Sequence, residues 1–271
     1  TYAVKNLKKG IEFLEQQFGV KWDWDAFWKN AEMYNESSRC MIEKWDVNCT
    51  EHPQVCGAAL ALQREYEFMA AACMDKFMLK TDRRVTKMML KGYEQDKAAN
   101  APQPKYRCLV WACPAHYYTN FTYWTQHCWG VTCVNDMEAM LSYQPITIGD
   151  KEQALADLVR CYEKMMMRSH TNGGYVNLLD ECWKMCEKFH TNIVIMYDHV
   201  SCKNVGGLHG LFEDQARERG IHLIWIPHDV MDPRTVSRRE MREAFSQYMV
   251  TVLNEKPLDP TLLDYEDTLS W

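Results

Sequence analysis

With 271 residues, 47% of them hydrophobic, the chain can bury a sizeable core and reads as globular, one large domain or two small ones. Lys and Arg total 31 against 37 Asp and Glu, and the net charge of −6 gives no electrostatic reason to expect nucleic acid as the main partner. No apolar run approaches the roughly 18 to 20 residues that span a bilayer, and the N-terminus lacks the layout of a signal peptide, so a soluble cytoplasmic chain without a membrane partner is expected.

The first hundred residues carry helical periodicity. Val4, Leu7, Ile11 and Leu14 share one face of a helix that stops at Gly19, a residue suited to the left-handed C-cap. Asp23 can cap a second helix, in which Phe27, Ala31 and Tyr34 recur at helical spacing. A third is expected from about Ala58 to Leu79 and a fourth from about Asp82 to Lys97. "NAPQP", Asn100 to Pro104, then breaks the pattern and marks the boundary between a helical linking segment, 1–104, and a second region, 105–271.

Beyond that break, short apolar runs alternate with helical stretches. "YRCLVWAC" (106–113), "WGVTCVN" (129–135), "NIVIMYD" (192–198) and "IHLIWIP" (221–227) read as strands. Helices fit at about 117–128, 151–167, 174–190, 206–219 and 237–253. Strands apolar on both faces, alternating with helices, predict an α/β domain: a doubly wound parallel sheet of the Rossmann or flavodoxin-like kind, behind a helical N-terminal segment.

In such sheets ligands bind beyond the carboxyl ends of the strands, so the residues just after each apolar run are the informative ones. The first tip carries Cys113, Pro114, Ala115 and His116; the third reads "DHVSCKN", 198–204; the fourth reads "HDVMDPR", His228 to Arg234. Cys202 sits beside Ser201 and Lys203 and ahead of Gly206 and Gly207. Nearby positive charge and helix-start N–H groups there favour the thiolate that a nucleophile or a metal ligand needs. His199 or His116 could serve such a nucleophile as base. Asp232 and Arg234 in the fourth tip, with Arg168 and His170 in the glycine-containing loop "RSHTNGG" (168–174), are candidates to meet a ligand.

Other features have ordinary structural readings. Ser237 with Glu240 is a capping box, Cys182 and Cys186 lie one turn apart as core residues, and Cys128 and Cys133 read as packing. Arg217 to Arg219 and Arg238 to Arg239 read as solvated helix faces. Twelve cysteines without regular short spacings suit reduced cytoplasmic thiols. With 17 Met, 10 Trp and 14 Tyr they make an oxidisable core that anaerobic life tolerates well. Neither a dinucleotide-binding glycine fingerprint nor a phosphate-binding P-loop is present.

The tip "DHVSCK", the following "HDVMDPRTVS" and a helix carrying Arg242 and Phe245 resemble the C-terminal half of the 2-hydroxyacyl-CoA dehydratase and benzoyl-CoA reductase family, closest to its α-type dehydratase subunits. The lead-in "LKKGIEFLEQQFGVKWDWDAFWKNAEMYNE" is similar to the segment joining the two α/β domains of that family. The resemblance implies a heterodimer with a β-type subunit, a 4Fe-4S cluster held by three cysteines, and an ATP-dependent iron–sulfur activator that injects one electron. A ketyl radical of the acyl-CoA then expels the hydroxyl group. In that scheme Cys202 matches one cluster ligand, with Ser201, Lys203 and Gly206 around it. The remaining ligands belong to an N-terminal domain that this sequence, opening on Thr1, is expected to lack, so the fragment alone is expected to be inactive. Ring reduction of a benzoyl-CoA, a Cys202-dependent hydrolase or transferase, and a non-catalytic scaffold are the competing readings.

Overall fold

The structure is a computed structural model that describes residues 1–56, 76–137, 144–164 and 173–264. Among the described residues three helices lead the chain: α1 (Tyr2–Phe18), α2 (Trp24–Asn48) and α3 (Lys76–Ala98). Gly19 closes α1 at φ 64°, and the Asp23 side chain accepts the N–H of Ala26 to cap α2, both as the sequence predicts. The third expected helix, 58–79, falls mostly outside the described residues. Residues from Lys76 on, expected to end the third helix, run without a break into the fourth, so that Lys76–Ala98 is one helix.

Four strands follow, β1 (Tyr106–Trp111), β2 (Val131–Asp136), β3 (Ile193–His199) and β4 (His222–His228), in one all-parallel sheet of order β2-β1-β3-β4. The connecting helices are α4 (Phe121–Trp129), α5 (Lys151–Glu163), α6 (Tyr175–Phe189), the one-turn α7 (Lys203–Gly206), α8 (His209–Arg219) and α9 (Arg238–Thr251). Rings of Phe121 and Trp124 in α4 meet Phe245 in α9 at 5.8 Å on one face of the sheet. On the other face Trp183 of α6 meets Phe212 of α8 at 5.7 Å, and Phe212 meets Trp225 of β4 at 6.2 Å. Helices thus cover both faces, which is why the strands read as apolar runs without alternation. The expected doubly wound α/β architecture behind a helical segment is the observed one.

Two expected helices are broken. The stretch 117–128 is a short 3₁₀ turn, His116–Tyr118, followed by α4. The stretch 206–219 divides into α7 and α8 at Gly207, where a Cβ would lie 2.9 Å from the Lys203 carbonyl oxygen; the glycine pair is a break, not a helix start.

Buried polar groups hold the helical segment together and tie it to the sheet. Lys44 of α2 and Asp82 of α3, both almost fully buried, pair at 2.5 Å, and Ser37 donates to the same carboxylate. Arg107 of β1 donates to the carbonyls of Asn48, Thr50 and Phe189. The register between β1 and β2 slips after Cys108, so that Cys108 faces Cys133 and Leu109 faces Asn135. Val134 is the residue skipped, and its carbonyl accepts Asn48 Nδ2 at 2.9 Å. All six residues of β2, an edge strand, are buried. Cys128, Cys133, Cys182 and Cys186 are core residues, as expected, and every described cysteine is free.

Candidate functional site

β1 and β3 are neighbours, yet the chain leaves β1 toward β2 on one side and β3 toward β4 on the other. Their carboxyl ends therefore flank the switch point, where a parallel sheet opens a crevice. Three tips converge there. The N–H of His116 donates to the Val230 carbonyl at 2.9 Å, and the N–H of Val200 to the His228 carbonyl at 3.1 Å, so the β4 tip stitches to both the others.

The β1 strand ends two residues sooner than predicted because Ala112 adopts φ 65°, a left-handed conformation that costs a non-glycine residue about 1–2 kcal/mol. This turn directs the half-buried Cys113 away from the strand, with its sulfur 3.8 Å from His116 Nε2. Behind that loop, Pro114, Ala115, Tyr118, Thr122, Asp136 and Tyr197 line a cavity of about 10 Å³, room for roughly one water. The Thr122 hydroxyl in its wall is buried without a hydrogen-bond partner.

At the β3 tip, Cys202 is half-buried and precedes α7; its N–H donates to the His199 carbonyl at 2.8 Å. Ser201, exposed beside it, lies 2.9 Å from His199 Nε2, and His199 Nδ1 lies 3.4 Å from the His228 carbonyl. A carbonyl can only accept, so in the contact with His228 the Nδ1 of His199 is the donor. Among the described residues neither His116 nor His199 makes a hydrogen bond to the Cys202 sulfur: the first pairs with Cys113, the second with Ser201. The nucleophile-with-base arrangement expected for Cys202 is therefore not formed.

Lys203 is exposed at the start of α7. The N–H groups of Gly206 and Gly207 are spent on the carbonyls of Cys202 and Lys203, so they offer no cradle to an anion. Gly206 instead leaves room beside Asp198, whose Oδ1 would lie 3.7 Å from a Cβ there. Strand alternation turns Asp198 to the opposite face from Tyr197 and His199. There Asp198 Oδ2 lies 3.4 Å from Nε2 of His209, a ring stacked 3.4 Å over Trp225.

In the β4 tip the Asp229 carboxylate accepts the N–H groups of Met231 and Asp232, which lowers its pKa. Asp232 grips Arg234 through two parallel bonds, Nε to Oδ1 at 2.8 Å and Nη2 to Oδ2 at 2.6 Å, and this guanidinium brings the Asp232 pKa down to about 2. Arg234 itself projects into solvent. Arg168 and His170 lie outside the described residues.

His228 is the site residue that sequence reasoning passed over as one more polar tip. Its side chain is fully buried, 5.0 Å from the Tyr197 ring and 5.5 Å from His199, and neither ring nitrogen meets a hydrogen-bond partner. Burial pushes its pKa down to about 4, with nearby backbone groups offsetting this only in part, so the ring is neutral at physiological pH. The signal was present in the strand period, since 224, 226 and 228 share one face. Asp136, buried at the end of β2, was also legible as a charge closing an apolar run.

The crevice thus gathers two half-buried thiols, three imidazoles, one exposed ammonium and a rigid Asp–Arg pair at the switch point. Among the described residues no three His, Cys, Asp or Glu side chains converge closely enough to hold a metal ion by themselves. No helix among them is long and apolar enough to cross a membrane. Compared with models of protein families, residues 1–249 match the family described as "HGD-D: 2-hydroxyglutaryl-CoA dehydratase, D-component". No curated protein matches the chain.

Proposed function

The chain belongs to that family, a 2-hydroxyacyl-CoA dehydratase component, and on this premise we propose that it is an α-type subunit of a cytoplasmic dehydratase that removes water from an (R)-2-hydroxyacyl-CoA. The observation that carries the reading is the match from α1 to α9, joined to a half-exposed thiol, Cys202, at the switch point of the sheet. In the proposal an ATP-dependent iron–sulfur activator supplies one electron, the thioester carbonyl becomes a ketyl radical, and the hydroxyl group on the neighbouring carbon departs.

A 4Fe-4S cluster, where bound, would supply a low-potential electron close to the thioester. The described residues do not complete a ligand set for it. Cys202 is accordingly proposed as a single ligand, with the others contributed from outside these residues, and the β-type subunit as partner. What this chain's own groups do is narrower. The fully buried His228 at the end of β4 and the hydrogen bonds from His116 and Val200 fix the three tips against one another. Ser201, held by His199, and Lys203 flank the thiol and offer polar contacts to its sulfur. Arg234, clamped by Asp232 through Nε and Nη2, keeps Nη1 for a phosphate oxygen of the CoA moiety. Arg168 and His170 are proposed to meet the same ligand.

The test is anaerobic co-expression of the full-length protein with its neighbouring subunit, followed by iron and sulfide analysis and dehydration assays on wild type and Cys202→Ala. The expected result is about four irons per cluster-bearing subunit in wild type, lost with the activity in the variant. Equal iron in both proteins removes Cys202 from the ligand set.

A further inference from the structure

The base that the sequence offers to Cys202 is engaged by its neighbour instead. The N–H of Cys202 donates to the His199 carbonyl at 2.8 Å and folds residues 199–202 into a β-turn. The turn brings its third residue back to its first, so that Ser201 Oγ lies 2.9 Å from His199 Nε2. On the other side of the ring, His199 Nδ1 donates to the His228 carbonyl at 3.4 Å. That carbonyl is itself fixed, since the N–H of Val200 donates to it at 3.1 Å and His228 is fully buried. Hydroxyl, imidazole and a fixed acceptor therefore follow one another in series, with Ser201 exposed and His199 half-buried beneath it.

A serine hydroxyl is a weak nucleophile until a base takes its proton, and the base works best when a third group orients it. With Nδ1–H committed to a carbonyl, the neutral ring carries its lone pair on Nε2, the nitrogen that faces Ser201. The third group here is a neutral carbonyl rather than a carboxylate, so an imidazolium at His199 gains less stabilisation than in a Ser-His-Asp triad. Such a pair suits an acyl group with a good leaving group, a thioester rather than an amide, because a thiolate departs with little help from an acid. Lys203, exposed two residues on, brings positive charge to the same turn, where an oxyanion would develop.

We propose that Ser201 and His199 form an acyl-transfer dyad that hydrolyses small acyl thioesters. Ser201 Oγ attacks the thioester carbonyl carbon while its proton passes to His199 Nε2. The tetrahedral adduct collapses, the C–S bond breaks, and the thiolate leaves with the bonding pair and takes the proton from Nε2. Water then attacks the seryl ester, again giving a proton to Nε2, and the C–O bond to Ser201 breaks as Oγ recovers that proton. The products are a carboxylic acid and a thiol, with no oxidant or reductant involved. The activity needs neither a cluster nor an electron and is independent of the dehydratase reading.

The experiment treats the full chain, without activator or reductant, with a fluorophosphonate, a reagent for base-activated serines, and maps the adduct by tandem mass spectrometry on the tryptic peptide Phe189–Lys203. Fragment ions separate Ser201 from Tyr197 and Cys202. The expected result is an adduct on Ser201 formed about a hundredfold faster than in the urea-unfolded chain, the low end of what a general base contributes. Acetyl-CoA should acetylate the same serine and release CoA, and Ser201→Ala should abolish that release. His199→Asn should slow both reactions about a hundredfold. Labelling of Ser201 no faster in the folded than in the unfolded chain overturns the dyad, and this comparison needs no variant. So does a rate that His199→Asn leaves unchanged in a chain with the wild-type near-UV spectrum, or CoA release that survives Ser201→Ala. Hydrolysis of acetanilide as fast as acetyl-CoA overturns the assignment to thioesters.

Discussion

The helical segment, with its seat on the sheet, and the strand tips treat buried polar groups in opposite ways. Within the segment Lys44 has Asp82, and where the segment meets the sheet Arg107 has three carbonyls and Asn48 has Val134. At the carboxyl edge His228 is buried with no partner, the Thr122 hydroxyl is unsatisfied and Ala112 holds a strained backbone. An unsatisfied buried group costs about 1–3 kcal/mol, so a chain that tolerates several at one edge is stabilised elsewhere. The helical segment and its seat supply stability and the strand tips spend it on geometry, the pattern expected of a scaffold and a site.

The largest break in that contrast comes from Lys44→Ala, which strands the buried Asp82 carboxylate. Urea unfolding should show a loss of about 3–5 kcal/mol, with much of it recovered in the Lys44→Met/Asp82→Leu double variant. Arg107→Ala leaves three carbonyls without their donor and should cost about 3 kcal/mol in the same measurement.

The carboxyl edge answers to pH instead. The unfolded His228 binds a proton near the ordinary value of 6.5 and the folded one only near 4. Between these values the unfolded state carries more protons, so stability falls as the pH falls, by about 3 kcal/mol across the window. His228→Leu should flatten that part of the stability–pH curve and, at pH 7, leave stability within about 1 kcal/mol of wild type or above it. A variant whose acid limb matches wild type would show that the ring is not held neutral. The smallest effect belongs to Ala112→Gly, which relieves the left-handed strain and should stabilise by about 1 kcal/mol in thermal unfolding. If Ala112 is strained to aim Cys113, the same variant should broaden the reactivity of that thiol toward alkylating reagents.

The contrast also explains what the sequence could reveal. The covered parallel sheet followed from apolar runs such as "NIVIMYD", because a sheet covered on both faces demands residues apolar on both sides. Cys202 was legible for the same reason: a run that ends abruptly in "DHVSCK" has reached solvent at a strand tip. His228 was legible only through the strand period that puts it on the face of Ile224 and Ile226, because "HDV" taken alone looks like the start of a polar loop. Ala112 gives no sign of its conformation, since alanine carries no preference for it. The glycine pair at 206–207 was visible but ambiguous, as glycine serves both a helix start and the break it makes here.

The slipped register after Cys108 has a consequence in time as well as in space. The carbonyl that receives Asn48 belongs to Val134, the residue that the ladder to β1 leaves out, and 86 residues separate donor from acceptor. The seat for the end of α2 is therefore held in place only once those two strands have met. Docking of the helical segment must follow assembly of the strands, and a stopped-flow probe at Trp45 should report a later phase than one at Trp111.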